Sequence, residues 1–105
     1  MSGIDPRSFV FPFLLGAMAW GGPATAQRID QDEALRLRQS DKILPLEYIL
    51  QQALQAQPGR VIEIELERAD GRPIYELEVL DTQGRIWELY LDATTGSLLE
   101  HERED

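Results

Sequence analysis

Val61-Ile62-Glu63-Ile64-Glu65-Leu66-Glu67-Arg68 decides the fold of this 105-residue chain. Ile62, Ile64 and Leu66 alternate with Glu63, Glu65 and Glu67, a period of two. Side chains on a strand point alternately to opposite faces, so the stretch predicts a strand with one dry face and one acidic face. The same grammar repeats downstream. In 74–80, Tyr75, Leu77 and Val79 share a face opposite Glu76 and Glu78. In 85–92, Trp87, Leu89 and Leu91 share a face opposite Ile86, Glu88 and Tyr90. Asp70-Gly71 and Asp81-Thr82-Gln83-Gly84 read as hairpin turns between these runs. Asp92-Ala93-Thr94-Thr95-Gly96 reads as a further turn whose Asp and Thr side chains bond local backbone. A short edge strand over 97–100 and a frayed charged tail over 102–105 complete the reading.

Upstream, Leu46, Ile49, Leu50, Ala53 and Leu54 follow the spacing of one buried helical face, with Glu47, Gln51, Gln52 and Gln55 toward water. Pro45 suits the first turn of that helix, and Pro58-Gly59 ends it. Residues 27–44 are a polar lead-in to which Ala34, Leu35 and Leu37 make apolar contributions before Ile43-Leu44, and they predict a short, mobile helix capped by Asp30 or Asp32. The expected fold class is α+β: one main helix on a three- to four-stranded antiparallel sheet, preceded by a short N-terminal helix. The expected domain spans 45–101.

The first 26 residues read as an address. Phe9-Val10-Phe11-Pro12-Phe13-Leu14-Leu15-Gly16-Ala17-Met18-Ala19-Trp20 is an uncharged apolar run shorter than the about 20 residues of a membrane span. Gly21-Gly22-Pro23 breaks it, and Ala24-Thr25-Ala26 is a small-x-small cleavage site. The pattern predicts a signal peptide cut after Ala26, hence a periplasmic or secreted protein, with an N-terminal membrane anchor as the alternative. There is no cysteine, which excludes disulfides, thiolate metal sites and cysteine nucleophiles. Net charge is −9, before and after such a cleavage. That balance opposes nucleic acid and anionic lipid and favours a basic partner surface.

The ordered set is similar to a known family. Leu44-Pro45-Leu46-Glu47 with Ile49-Leu50 precedes Pro58-Gly59 and Val61-Ile62. Glu65-Leu66-Glu67, Tyr75-Glu76-Leu77-Glu78-Val79, Asp81 with Gly84, and Glu88-Leu89-Tyr90-Leu91-Asp92-Ala93 with Gly96 follow. This resembles a PepSY domain, over about residues 31–100, and with Glu33-Ala34-Leu35-Arg36-Leu37-Arg38-Gln39 it resembles small exported single-PepSY proteins of Gram-negative bacteria. The resemblance implies a domain without catalytic residues. PepSY domains occur in propeptides of secreted metalloproteases, where they inhibit and assist folding, in membrane proteins, and alone.

The residues agree that this is not an enzyme. The carboxylates Glu63, Glu65, Glu67, Glu76 and Glu78 fall on the wet face, where alternation alone accounts for them. His101 is the only histidine and sits in the expected tail, and no phosphate loop or nucleophile elbow is present. No cofactor and no metal ligand is expected. The expected function is a periplasmic protein-binding module that inhibits or modulates a protease. The alternatives are an accessory of a membrane sensor in a two-component system and a structural or cation-binding envelope protein. Ile86 and Tyr90, beside Glu88, form an expected exposed apolar spot for a partner or a homodimer seam. Glu63, Glu65, Glu76 and Glu78 are the expected acidic contacts to a partner.

Overall fold

The computed structural model describes residues 26–104; the expected signal peptide lies outside the described residues apart from Ala26. The elements run β1 (Gln27–Arg28), α1 (Gln31–Gln39), α2 (Leu46–Ala56), β2 (Arg60–Ala69), β3 (Arg72–Leu80), β4 (Ile86–Asp92) and β5 (Leu98–Glu104). The five strands form one antiparallel sheet in sequence order. The α+β class is as read from the sequence. The strand count is higher than the expected three or four, because two residues of the lead-in pair with the end of β2 at Arg68 and Glu67.

Register follows the alternation. Leu66, Tyr75 and Leu91 lie side by side across three strands, as do Ile64, Leu77 and Leu89, and Val61, Val79 and Trp87. Both helices cover this face. Ile49 and Ala53 of α2 are fully buried, with Leu46, Leu50 and Leu54 around them. Ile29, Ala34 and Ile43 extend the same core under α1. Asp30 is the cap of α1, its Oδ1 accepting from Glu33 N at 2.8 Å. Two polar links tie α1 to the sheet. Arg68 Nη2 donates to Glu33 Oε2 at 2.7 Å, and Arg38 Nη2 donates to the buried Tyr75 hydroxyl at 3.0 Å.

Turn chemistry sets the hairpins. Asp70 and Gly71 both have positive φ (54° and 78°) between the paired Ala69 and Arg72, the backbone a two-residue hairpin needs to match strand twist. Asp81 organises the next one: its Oδ1 accepts from Gln83 N and Arg85 N at 2.8 and 2.9 Å, and its Oδ2 from the Trp87 indole at 2.9 Å. These donors, the indole first, hold the Asp81 carboxyl down at about 2. Gly59 joins helix to sheet where no side chain fits, since a Cβ there would collide with the Leu80 carbonyl oxygen.

Three expectations are corrected. Ile62 is not on the dry face. One extra residue lies between Val61, opposite Val79, and Glu63, opposite Glu78. This bulge slips the alternation once, so Val61 packs on the core and Ile62 is 43% exposed. The C-terminal end is not a frayed tail: β5 pairs with β4 out to Glu104 opposite Ile86. His101 accordingly sits opposite Leu89 in β5; its ring lies 5.0 Å from Trp87, and its Nε2 is 2.9 Å from Gln57 Oε1.

Leu77 stands at the centre of the dry face with no exposure. Leu77→Ala is expected to cost about 2–5 kcal/mol, comparable with the ~3–5 kcal/mol that a core of this size supplies. Circular dichroism should show a melting temperature at least about 8 °C lower, at about 4–8 °C per kcal/mol. An unchanged melting temperature would contradict the central place of Leu77.

Candidate functional site

The face of the sheet away from the helices concentrates the acidic residues. Antiparallel pairing sets Glu63, Glu78, Glu88 and Glu102 directly opposite one another across four strands. The next row is Glu65, Glu76, Tyr90 and Glu100. Like charges in directly opposed positions repel. Carboxylate oxygens of Glu65, Glu67 and Glu76 lie within 4.8 Å of one another, and so do those of Glu78, Glu88 and Glu104.

This face is not simply solvated, as alternation had implied. Tyr90 is only 3% exposed and forms a small second cluster with Ala69 and Ile74, flanked by Ala26 and Leu99. The expected exposed spot of Ile86 and Tyr90 therefore does not form: Tyr90 is covered and Ile86 is half-buried. The reason is lateral. Tyr90 lies between Glu76 and Glu100, and Ile74 is two residues along β3 from Glu76 on the same face, so neighbouring strands supply apolar cover invisible along any one strand. The Tyr90 hydroxyl donates to Glu76 Oε2 at 3.3 Å, and burial raises the phenol well above its ordinary value.

Glu65, Glu67, Glu76, Glu78 and Glu88 are half-buried, while Glu63 is exposed. Burial, then proton sharing with Glu76 and its charge, pushes the carboxyls of Glu67 and Glu88 up to about 8. Burial and then the charges of Glu104 and Glu76 raise Glu78. A hydrogen bond shared with Glu65, then the charge of Glu78, raises Glu63. These residues stand out in the sequence but their coupling does not, because register is needed to see which carboxylates meet.

Chemically the arrangement stores protons. Each triad brings one oxygen from each of three carboxylates together, so a Ca²⁺ there would need their second oxygens or water to reach the six to eight it takes. On this sheet face, burial first and mutual proximity second account for the raised carboxyls of Glu67, Glu78 and Glu88. At the far end of the sheet, the buried Asp92 holds the last turn together. Its Oδ1 accepts from Thr94 N and Thr95 N at 2.8 and 3.1 Å, and its Oδ2 lies 3.3 Å from Arg72 Nε.

The opposite side of β2 carries the second feature. A groove of about 690 Å³ lies between α1 and β2, lined by Leu35, Ile64, Leu66, Glu63 and Glu65 among others. Glu63 and Glu65 are conspicuous in the sequence, but the groove is not, since its walls are 30 residues apart in the chain at Leu35 and Glu65.

Among the described residues, no helix is long and apolar enough to cross a membrane. A family model described as peptidase propeptide and YPEB domain, PepSY, matches residues 43–102. No curated protein and no solved structure matches the chain.

The raised carboxyls make stability depend on pH. In the unfolded chain Glu67 and Glu88 titrate near the ordinary ~4.3, so the folded state holds extra protons from there up to about 8. Their contribution is complete below the unfolded value and is lost as pH rises through about 8. After discounting for partial exposure the loss is on the order of 1–2 kcal/mol. The melting temperature is expected to fall by several degrees between about pH 5 and pH 8.5. Glu88→Gln, which keeps the shape without the charge, should raise the value at the alkaline end and flatten the slope. An unaltered slope in that variant would show that Glu88 does not share protons.

Proposed function

The chain belongs to the PepSY family, and from that premise we propose that it is a non-catalytic protein-binding module of the periplasm or extracellular space that inhibits or moderates a protease. The match over residues 43–102 carries the reading, since its description names peptidase propeptides. The net charge of −9 supports a partner whose contact surface is basic. The acidic outer face supplies Glu63, Glu65, Glu76, Glu78 and Glu88 for that contact, while Tyr90 stays within the small buried cluster with Ala69 and Ile74. Export rests on the apolar run and the Ala24-Thr25-Ala26 site of the first 26 residues.

Titrating the full-length chain into the exported metallopeptidases of its host, with a fluorogenic substrate, tests the reading. Stoichiometric inhibition of at least one peptidase is expected, weakening as salt rises toward about 0.5 M because exposed charge pairs are screened. Undiminished hydrolysis by every exported metallopeptidase at excess inhibitor would rule the protease role out.

A further inference from the structure

The two edges of the sheet differ in kind. β5 ends in Glu100-His101-Glu102-Arg103-Glu104, a charge-rich run of the sort that deters a further strand from adding. The other edge is β2, which carries the exposed, β-branched Ile62 and Ile64. β1 covers it only at Arg68 and Glu67, and Ile29 N then donates to the Leu66 carbonyl at 2.8 Å. At Asp30 the chain leaves for α1. Beyond that point the lane beside β2 is open. The Leu66 carbonyl faces the lane, and the period of two sends the Ile64 amide and carbonyl the same way.

The groove between α1 and β2 lies along this open lane, with Leu35 51% and Ile64 36% exposed in its walls. The residues already in the lane show what it accepts. Arg28 takes the outer face and pairs with Glu65. Ile29, the next residue, takes the inner face and is buried in the main core. Just past that pair, Glu63 is exposed on the outer face, its carboxyl raised by Glu65 and Glu78, so a cation there would relieve like-charge repulsion.

We infer that an extended segment of a partner protein adds to β2 antiparallel in the lane that β1 vacates, with apolar side chains against Ile64 and Leu35 and alternate basic side chains over Glu63. Strand addition of this type draws affinity from main-chain hydrogen bonds and specificity from alternate side chains. A second copy of the chain suits the lane poorly, because pairing β2 with β2 would bring Glu63 and Glu65 against the copy's own acidic pair. The inference deepens the protein-binding reading above and rests on it for the existence of a partner.

The probe is a capped hexapeptide of alternating valine and lysine, titrated into the full-length chain by calorimetry, with hydrogen exchange to map the contact. Binding is expected to protect the amides around Ile64 and to weaken at least about tenfold in Ile64→Lys and in Glu63→Lys. Two peptides N-methylated on either alternate set of amides keep every side chain and charge. One should bind and the other should not, because only one set faces β2. Equal binding by both would reveal mere charge attraction and overturn the inference. Protection appearing on β5 would overturn it too, as would an Ile64-dependent dimer of the chain that leaves the peptide unbound. Protease inhibition unchanged in Ile64→Lys would remove this docking site while leaving inhibition standing. Ile64-dependent peptide binding without any effect on proteases would uphold the site and remove the protease.

Discussion

Burial of one face of a three-strand register holds this domain together. Leu77 lies between Ile64 and Leu89, with Tyr75 between Leu66 and Leu91 and Val79 between Val61 and Trp87. Ile49 and Ala53 close over that face. A slip of one residue between any two strands would turn the whole apolar set outward. Apolar burial is therefore what fixes the register, and the carboxylates on the reverse side must accept whatever neighbours that register gives them.

Those neighbours are other carboxylates. Glu63, Glu78, Glu88 and Glu102 face one another because Ile64, Leu77 and Leu89 do, in the same register on the other face. Two features soften the conflict. Glu67 and Glu88 retain protons far above the usual carboxylate range, and Tyr90 with Ile74 interrupts the acidic rows with a buried apolar patch. A fold that places so much charge on one face is soluble and readily steered toward a basic surface.

The family match begins at residue 43, so β1 and α1 lie outside the matched unit. They are nonetheless integrated, through Ile29 and Ala34 in the core, the Arg38–Tyr75 hydrogen bond and the Arg68–Glu33 pair. This appended segment covers one end of β2 and leaves the other open. Where it stops determines where the groove begins, and the asymmetry between the apolar edge and the charged β5 edge follows.

The α+β class, the main helix, three strands and the turns at Asp70-Gly71, Asp81–Gly84 and Asp92–Gly96 were legible in the chain alone, because helical spacing, strand alternation and turn chemistry are local. The resemblance to PepSY was legible for the same reason. The acidic residues of the outer face were legible as a set. Their raised carboxyls, the covering of Tyr90, the displacement of Ile62, the extension of β5 to Glu104 and the groove at Leu35 and Ile64 were decided by tertiary structure. Each depends on which residues of different strands and helices become neighbours. A bulge adds its residue without disturbing composition, a tyrosine is buried by strands on either side of it, and a carboxyl's proton affinity is set by charges brought near it from elsewhere in the chain.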